Sequence, residues 1–312
     1  MQLVTGGAGF IGSHLVDALL ARGERVRVLD NFSTGLRENL RQSVALEILE
    51  GDIRDLDACR RAAAGCSGVY HQAALGSVPR SVSDPRTTHD VNATGTLNVF
   101  LAARDAGIRR VVYASSSSVY GSDAALPKRE ERVGEPLSPY AASKRAGELI
   151  AAAFARCYGM TLVGLRYFNV YGPRQDPDSP YAAVIPLFFK AALSGQAATI
   201  HGDGEQTRDF TFVSDVVDAN LAAMEHGGAG DPAPVFNVGA GTRTSINQLW
   251  ETITEIAGRR LKALHGPPRP GDVRDSLADI SRARAALGYR PRFGIREGLA
   301  ASADFYRSSA TR

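Results

Sequence analysis

Short apolar runs alternate with segments of helical periodicity through the first half of the chain. The runs consist mainly of β-branched and aliphatic residues, which is the pattern of buried strands. We predict six strands: Leu3–Val4, Arg25–Leu29, Leu46–Leu49, Val69–His71, Val111–Ala114 and Leu162–Phe168. Strands that alternate with helices predict an α/β fold built on a doubly wound parallel sheet.

Two of the intervening helices have clear signals of their own. Apolar residues from Ile11 to Leu19 recur at i, i+4, i+7 and i+8, and Gly23 follows them as an end signal. The stretch from Pro139 to Tyr158 predicts a second, longer helix.

The pattern changes after Asn169, where proline and glycine become frequent, as in Gly172–Arg174 and Gly266–Gly271. We therefore expect a second, smaller α/β domain. Strand and helix signals return around Phe210–Met224 and Val235–Val238, so the chain is expected to cross back to the first domain. The predicted first domain comprises residues 1–168 and about 210–240, and the second comprises about 169–209 and 241–312.

Composition narrows the class of protein. Of the 312 residues 44% are hydrophobic and 22% are charged, which is typical of a globular protein. The 36 basic and 33 acidic residues are spread along the chain, so nucleic acid is not expected as a partner. Neither a signal peptide nor a run of 18 apolar residues is present, so secretion and a membrane span are not expected.

The cysteines and histidines show no metal-ligand spacing, so no metal site is predicted. An odd number of cysteines, at Cys59, Cys66 and Cys157, also excludes a complete disulfide framework. A reducing, cytoplasmic location is the expectation.

A glycine-rich segment from Thr5 to Gly12 follows the first strand and opens the first helix. Glycine lets the backbone approach a pyrophosphate closely, and the start of the helix offers free N–H groups to an anion. This context predicts a Rossmann-type dinucleotide site, with a plain glycine turn as the alternative.

Two aspartates follow at the ends of predicted strands. Asp30 ends the second strand, about 20 residues beyond the glycines, where its carboxylate can accept from both ribose hydroxyls and would repel a 2′-phosphate. That favours NAD over NADP. Asp52, after the third strand, either meets the adenine edge or forms a turn, and the two interpretations carry equal weight.

Tyr140 and Lys144 are four residues apart on the predicted long helix, so they share one face. A unit charge at ~4 Å and an effective dielectric of ~20 is worth ~4 kcal/mol, or ~3 pKa units. The lysine, aided by the positive nicotinamide ring, is therefore expected to lower the pKa of the phenol into the range of a general base.

Four serines, Ser115 to Ser118, end the fifth predicted strand, at the edge where such sheets bind ligands. A serine hydroxyl there can orient or relay a substrate proton. A polar loop without function is the alternative.

The glycine loop, the serine run and Tyr-x-x-x-Lys stand in this order in extended short-chain dehydrogenases/reductases. From Met1 to about Tyr289 the chain resembles the NAD-dependent UDP-hexose 4-epimerases of that group, particularly the UDP-N-acetylglucosamine/UDP-glucose branch. The matching segments are Asp30–Gly35, Gly51–Ile53, Ala74–Pro79, Asn92, Ser138–Tyr140, Arg166–Asn169, Gln175–Pro177, Tyr181–Pro186, Arg208–Phe210 and Arg269–Val273.

The resemblance implies a role for each matching residue. Ser116 would orient the substrate, Tyr140 would act as the base, and Lys144 would hold the ribose and lower the pKa of the tyrosine. The NAD contacts would be Gly6, Gly9, Phe10, Ile11, Gly12, Asp30, Asn31, Ser33, Gly35, Asp52, Ile53, Gln72, Ala73, Ala74, Asn92, Tyr140, Lys144 and Tyr167. The substrate contacts would be Ser77, Ser116, Ser117, Tyr140, Asn169, Ala183, Val184, Thr199, His201, Arg208, Arg269, Asp272 and Ser276. Packing is the alternative for His201, and a surface position for the arginines.

Local differences narrow the chemistry. Sugar dehydratases and decarboxylases of the superfamily usually carry an acid after the active serine or threonine, whereas Ser117 and Ser118 stand here. Ser276 matches the position at which a bulky side chain excludes N-acetylated sugars from some 4-epimerases. Gly76 departs from galactose-type enzymes, many of which place a lysine there and use it in cofactor contacts.

The expected activity is 4-epimerisation of UDP-GlcNAc/UDP-GalNAc, UDP-glucose/UDP-galactose or both, through a 4-keto sugar. A UDP-glucuronate 4-epimerase, another 4-keto-forming enzyme and a non-catalytic NAD-binding protein are the alternatives. The resemblance also implies that the second domain binds the UDP-sugar. A homodimer formed through helices near Asn92–Ala106 and Tyr140–Tyr158 is expected on the same ground.

Overall fold

The structure, a computed structural model, describes residues 1–226, 230–268 and 274–309. Its strands are β1 Gln2–Thr5, β2 Val26–Asp30, β3 Leu46–Glu50, β4 Gly68–His71, β5 Arg110–Ser116, β6 Thr161–Tyr167, β7 Val170–Tyr171, β8 Thr199–His201, β9 Thr207–Arg208, β10 Thr211–Phe212, β11 Val235–Val238, β12 Thr244–Ser245 and β13 Leu264–Gly266. Its α-helices are α1 Phe10–Ala21, α2 Leu56–Ala63, α3 Val78–Ser83, α4 Pro85–His89, α5 Gly95–Asp105, α6 Pro139–Tyr158, α7 Val184–Leu193, α8 Val213–Glu225, α9 Ile246–Ile256, α10 Ser281–Leu287 and α11 Ile295–Ser309.

In the described part of the chain, seven strands form one parallel sheet in the order β11-β6-β5-β4-β1-β2-β3. The six predicted strands are all present, with ends shifted by one or two residues. The return at Val235–Val238 is also confirmed, because β11 pairs with β6. This is the predicted Rossmann-type, doubly wound sheet.

Helices cover both faces of the sheet because each presents an apolar stripe to it. Side chains of α1 and α8, such as Leu19 and Val216, form a core on one face. On the other face α2, α5 and α6 supply a second core, which includes Phe100 and Phe154. A third core gathers α7, α9 and α11 around Trp250, beside the sheet.

Helix α6 begins and ends where its sequence predicts. The Ser138 side chain accepts a hydrogen bond from the Ala141 N–H, Pro139 occupies the first turn, and Gly159 follows with φ +63. A serine cap, a proline in the first turn and a left-handed glycine are the usual boundary signals of a helix.

Outside the central sheet, the described strands form only short pairs. β10 lies parallel to β7, β12 antiparallel to β9, and β13 parallel to β8. These pairs join residues far apart in sequence, beside the third core. The division into two domains stays a prediction.

A π-helical segment, Asp90–Thr94, separates α4 from α5. Short 3₁₀ turns occupy Arg37–Asn39 and Ser117–Tyr120. None of the helices in the described ranges is long and apolar enough to cross a membrane.

Candidate active site

Two cavities adjoin each other, the first at the carboxyl ends of the central strands and the second beside α7 and β8. The first measures about 500 Å³ and the second about 520 Å³. They share four lining residues, Asn169, Val170, Gln175 and Ala183. A long, two-part ligand can therefore occupy both.

Most of the predicted ligand contacts line these cavities. The first is lined by Gly6, Gly9, Phe10, Ile11, Gly12, Asp30, Asn31, Ser33, Gly35, Asp52, Ile53, Gln72, Ala73, Ala74, Ser116, Ser117, Tyr140, Lys144 and Tyr167. The second is lined by Asn169, Ala183, Val184, Thr199, His201 and Arg208. Folding thus brings the predicted cofactor residues together, with the predicted substrate residues beside them.

The glycine loop is folded so tightly that Gly6 and Gly12 cannot be replaced without a clash. A Cβ on Gly12 would lie 2.1 Å from the carbonyl oxygen of Gly6, and Gly6 itself has φ +68. Gly9 caps α1 without a side-chain hydrogen bond, so the first N–H groups of the helix receive no cap from that residue. This is the geometry of a phosphate cradle.

Asp30 holds the glycine loop in place. One oxygen of its buried carboxylate accepts from the Ala8 N–H at 2.9 Å, and the other accepts from the Phe32 N–H at 2.9 Å. Asp30 also lines the first cavity. It therefore fixes the loop that a pyrophosphate would approach, a role that its position alone did not predict.

Asp52 lies at the edge of the same cavity and makes the contacts of a turn. It accepts from the backbone and guanidinium N–H groups of Arg54 and from the Asn31 side chain. Hydrogen bonds from Arg54, opposed by burial, lower the pKa of Asp52 to about 2. The turn interpretation thus has direct contacts in the structure, while the cavity lining leaves an adenine contact open.

The hydroxyl of Tyr167 belongs to a buried network with Gln72 and Asn220. It donates to Gln72 Oε1 at 3.0 Å, and the Asn220 side chain donates to it at 2.8 Å. Gln72 also donates to Asn220 at 2.9 Å. Because every member is bonded, the network orients the part of the wall to which Tyr167 contributes.

Asn92 lies behind the wall of the first cavity rather than in its lining. It occupies the π-helical segment and is 1% exposed. Its side chain accepts from the Leu75 N–H at 2.8 Å and donates to the Leu75 carbonyl at 3.1 Å and to Ser143 Oγ at 3.1 Å. Asn92 therefore pins the loop after β4 to α6, and its contact with NAD stays a prediction.

Tyr140, Lys144 and Ser116 converge on the first cavity. The half-buried Tyr140 is hydrogen bonded to Ser116. Lys144, 7% exposed, donates from Nζ to the Ala114 carbonyl at 3.0 Å. Ser116 Oγ also donates to Ser118 Oγ at 3.0 Å. Strand β5 and helix α6 thus place a phenol, an ammonium and a hydroxyl around one lining surface.

The expected lowering of the Tyr140 pKa combined the charges of Lys144 and a nicotinamide ring, and the protein groups alone act in the opposite direction. Burial raises the pKa of Tyr140, and the hydrogen bond with Ser116 opposes that rise only in part. The ammonium is directed at a backbone carbonyl, and burial lowers the pKa of Lys144 itself to about 8. Among the protein groups, burial therefore dominates the pKa of the phenol, and a bound nicotinamide ring would add a positive charge that acts in the other direction.

Asp209 organises the substrate side. Its buried carboxylate accepts from the N–H groups of Ala240 at 2.7 Å, Gly241 at 3.1 Å and Ala278 at 3.0 Å. Its carbonyl accepts from the Asn169 side chain at 3.0 Å. Burial raises the pKa of Asp209 to about 6, against these bonds. One side chain thus ties together three segments next to Arg208.

Four predicted substrate contacts are not among the lining residues. Ser77 accepts from the Arg80 N–H as the cap of α3, and Ser276 donates its N–H to Thr207. Arg269 and Asp272 lie outside the described residues.

His71 carries no motif of its own, yet it joins the start of the glycine-rich segment to the first turn of α5. Its ring nitrogens lie 2.7 Å from Thr5 Oγ1 and 2.9 Å from Thr96 Oγ1. Burial, aided by the charge of Lys144, lowers the pKa of His71 to about 3, so it is neutral at pH 7. A polar residue at the end of an apolar strand was the only signal for it.

A family model described as "NAD dependent epimerase/dehydratase family" matches residues 2–239 of the chain. The UDP-glucose 4-epimerase of Mycolicibacterium smegmatis is 44% identical over 313 residues, with 99% of each chain covered.

Two solved structures are similar over the full described fold. UDP-glucose 4-epimerase from Thermotoga maritima, determined with UDP-glucose, is 39% identical with a TM-score of 0.93, and 99% of each chain is covered. UDP-N-acetylglucosamine 4-epimerase from Methanobrevibacter ruminantium, determined with UDP-N-acetylmuramic acid, is 40% identical with a TM-score of 0.93, covering 99% of this chain and 98% of that one.

Proposed function

This chain belongs to the NAD dependent epimerase/dehydratase family, and on that premise we propose that it is a UDP-sugar 4-epimerase. The reaction would proceed through a 4-keto sugar. The observation that carries the proposal is the convergence of Tyr140, Lys144 and Ser116 on a cavity that adjoins a second one. A reacting centre and a nucleotide site can thus be filled by one UDP-sugar.

The residues of the first cavity fit NAD, the cofactor of the family. Gly6, Gly9 and Gly12 all line this cavity, and the clash that a Cβ on Gly12 would make with the Gly6 carbonyl oxygen supports a loop that depends on glycine. The N terminus of α1 offers N–H groups to the pyrophosphate, and the Asp30 carboxylate stands where it disfavours a 2′-phosphate.

In the proposed mechanism Tyr140 removes the proton from the sugar 4-hydroxyl while Ser116 orients that hydroxyl. NAD, when bound, would take the hydride from carbon 4 and give it back to the opposite face of the keto sugar, and its positive ring would favour the ionised form of Tyr140. After the keto sugar rotates in the site, Tyr140 returns the proton. Ser117 and Ser118 offer no carboxylate for an elimination, which supports epimerisation over dehydration.

We propose the second cavity as the UDP site. Arg208 and His201 lie in its lining, and an arginine fork suits phosphate oxygens. Asn169 and Ala183 lie where the two cavities meet, between the proposed nucleotide and sugar positions. Arg269 and Asp272 remain proposed contacts on the strength of the resemblance alone.

For the sugar we propose UDP-GlcNAc/UDP-GalNAc, UDP-glucose/UDP-galactose or both pairs. Ser276 supports the N-acetylated pair on the strength of the resemblance, because a bulky side chain at the matching position excludes N-acetylated sugars from some 4-epimerases. Relatives named for either kind of sugar support the wider assignment.

We also propose a homodimer formed through α5 and α6. Leu149 and Tyr158 on α6 are 58% and 48% exposed, which gives that helix an apolar outer surface. Light scattering on the purified protein should then give about twice the monomer mass.

The test of the activity is a substrate panel. Purified protein with NAD is incubated separately with UDP-glucose, UDP-GlcNAc and UDP-glucuronate, and inversion at carbon 4 is followed by NMR. Inversion of UDP-glucose or UDP-GlcNAc is expected. If the folded protein binds UDP but inverts neither, the proposal is wrong, and inversion of UDP-glucuronate alone would transfer the activity to that sugar.

A further inference from the structure

Helix α6 is bound to strand β5 through three side chains spaced four residues apart. Tyr140 is hydrogen bonded to Ser116, and Lys144 Nζ donates to the Ala114 carbonyl at 3.0 Å. The third, Glu148, accepts from Ser115 Oγ at 2.7 Å. The first two belong to the proposed reacting group, and the third has no part in the chemistry described so far.

Glu148 is among the most fully bonded side chains in the protein. It is 4% exposed, and both of its oxygens accept from Arg166, at 2.8 and 2.9 Å. Arg145 donates to it at 2.7 Å, in addition to Ser115. Burial raises the pKa of Glu148, but these hydrogen bonds, led by those of Arg166, hold it below its ordinary value. Glu148 is therefore a carboxylate at neutral pH.

The location of these contacts ties Glu148 to the reacting pair. Ser115 stands between Ala114, which accepts from Lys144, and Ser116, which is bonded to Tyr140. Arg166 lies on β6 and pairs with Ser115 in the sheet. One carboxylate thus fixes α6 to two neighbouring strands at the level of the active serine.

We infer that Glu148 is a positioning residue for the proposed epimerisation: it sets where α6 lies against β5, and so where the Tyr140 phenol lies. The inference rests on the proposed function. A misplacement of about 1 Å at a reacting centre can lower a rate by about 100-fold. Glu148 touches neither cavity, so binding of UDP and NAD should not depend on it.

Removal of one member of a buried ion pair leaves an uncompensated charge, so Glu148→Gln alone can fail to fold. We therefore use the neutral double variant Glu148→Met/Arg166→Met and the milder Ser115→Ala. The double variant removes both charges together, and the single one removes a single donor to the carboxylate.

For the double variant we expect kcat to fall by about 100-fold and the KM for the UDP-sugar to stay within about twofold, with bound NAD retained. Ser115→Ala should lower kcat by about threefold in the same sense. The control is Phe154→Leu, a core substitution on α6 that leaves the contacts with β5 intact and should leave kcat unchanged.

A second measurement uses no sugar. The tyrosinate absorbance of the NAD-bound protein is titrated against a Tyr140→Phe reference, which isolates the pKa of Tyr140. We expect the double variant to shift that pKa upward by about one unit. If the parent inverts no sugar, the proposed function fails, but this titration still tests the positioning. An unchanged titration, or a folded double variant with full kcat, would overturn the inference.

Discussion

Two buried aspartates organise the two sides of the cleft in the same way but over very different stretches of chain. Asp30 on the cofactor side accepts from Ala8, 22 residues away, and from Phe32, two residues away. Asp209 on the substrate side accepts from Ala240 and Ala278, 31 and 69 residues away. The carboxylates do equivalent work, since Asp30 holds backbone N–H groups of the glycine loop and of the turn after β2, and Asp209 holds those of two segments next to Arg208.

This difference in sequence separation explains why the cofactor side is easier to recognise from the sequence than the substrate side. A loop held by a nearby aspartate leaves a compact pattern, and the glycine segment with Asp30 is such a pattern. A loop that is held by an aspartate 69 residues away leaves no such pattern in the sequence, because the partner residue and the spacing can both vary without changing the fold. The predictions below separate the two sides and the reacting residues between them.

The largest effect is expected at Tyr140, the proposed base, which lies between the cofactor side and the substrate side. Tyr140→Phe should lower kcat by about 1,000-fold or more, because the phenol oxygen that removes the proton is absent. UDP and NAD binding should persist, as measured by calorimetry and by bound nucleotide. Tyr158→Phe, at an exposed position on the same helix, is the control and should remain active. Activity of Tyr140→Phe within about tenfold of the parent would refute the assignment of the base.

The next largest effect concerns the cofactor side alone. Gly12→Ala would place a Cβ 2.1 Å from the Gly6 carbonyl oxygen, so the loop must distort. NAD affinity should fall by about 100-fold, equivalent to about 3 kcal/mol, while UDP affinity is kept. The control is Gly147→Ala, whose Cβ would meet only Thr96 Cγ2, at an ordinary 3.7 Å. Equal NAD binding by both variants would show that the tight loop does not select the ligand.

A smaller effect is expected on the substrate side. Asp209→Asn should lower UDP affinity by about tenfold, because an amide can no longer accept from all three N–H groups. NAD content should not change. A loss of NAD together with UDP would show that the two sides are not held independently.

The same aspartate predicts a pH dependence. Because the pKa of Asp209 is raised to about 6, the carboxylate gains a proton as the pH falls through that value and its hydrogen bonds weaken. The KM for the UDP-sugar should then rise by about threefold between pH 7 and pH 5. The Asn variant, which has no proton to gain, should show no such rise.

The smallest effect is one of stability. Burial lowers the pKa of Lys144 to about 8, so below pH 8 the folded protein holds a buried ammonium that its surroundings disfavour. Lys144→Met should remove turnover yet stabilise the fold at pH 7 by about 1 kcal/mol, after the loss of the bond to Ala114. Urea denaturation measures this difference.

The pH dependence of the stability difference between the parent and Lys144→Met provides the check. Between pH 8 and about 10 the unfolded parent binds more protons at this lysine than the folded parent does, so parent stability rises relative to the variant. The advantage of methionine should therefore disappear over that range. A constant difference between pH 7 and pH 10 would mean that Lys144 titrates normally.

Much of the sheet could be predicted from the sequence because each strand is a short apolar run with its own boundaries. Helix α6 was predicted to the residue, since its serine cap, proline and terminal glycine are adjacent to it in the sequence. In these elements the local signal and the tertiary environment agree.

Other features depend on distant partners and escaped prediction. Strand β8 is only three residues long and exists because Leu264–Gly266 lies beside it. Asn92 belongs to a π-helical segment whose side chain serves Leu75 and Ser143, which neither its type nor its spacing indicates. Nor does distance along a helix reveal that the Lys144 ammonium donates to the Ala114 carbonyl.

The contacts of Tyr140 and Lys144 with β5 explain their spacing. From Lys144 back to Tyr140 a helix advances about 6 Å, and from Ala114 to Ser116 a strand advances about 6.6 Å. Because α6 runs opposite to β5, both steps lead toward the same edge of the sheet. Side chains four residues apart on a helix differ in direction by only about 40°, whereas a spacing of five residues would separate them by about 140°. The four-residue interval thus matches the pitch of the helix to the two-residue repeat of the strand, so the geometry of the two elements alone favours this spacing.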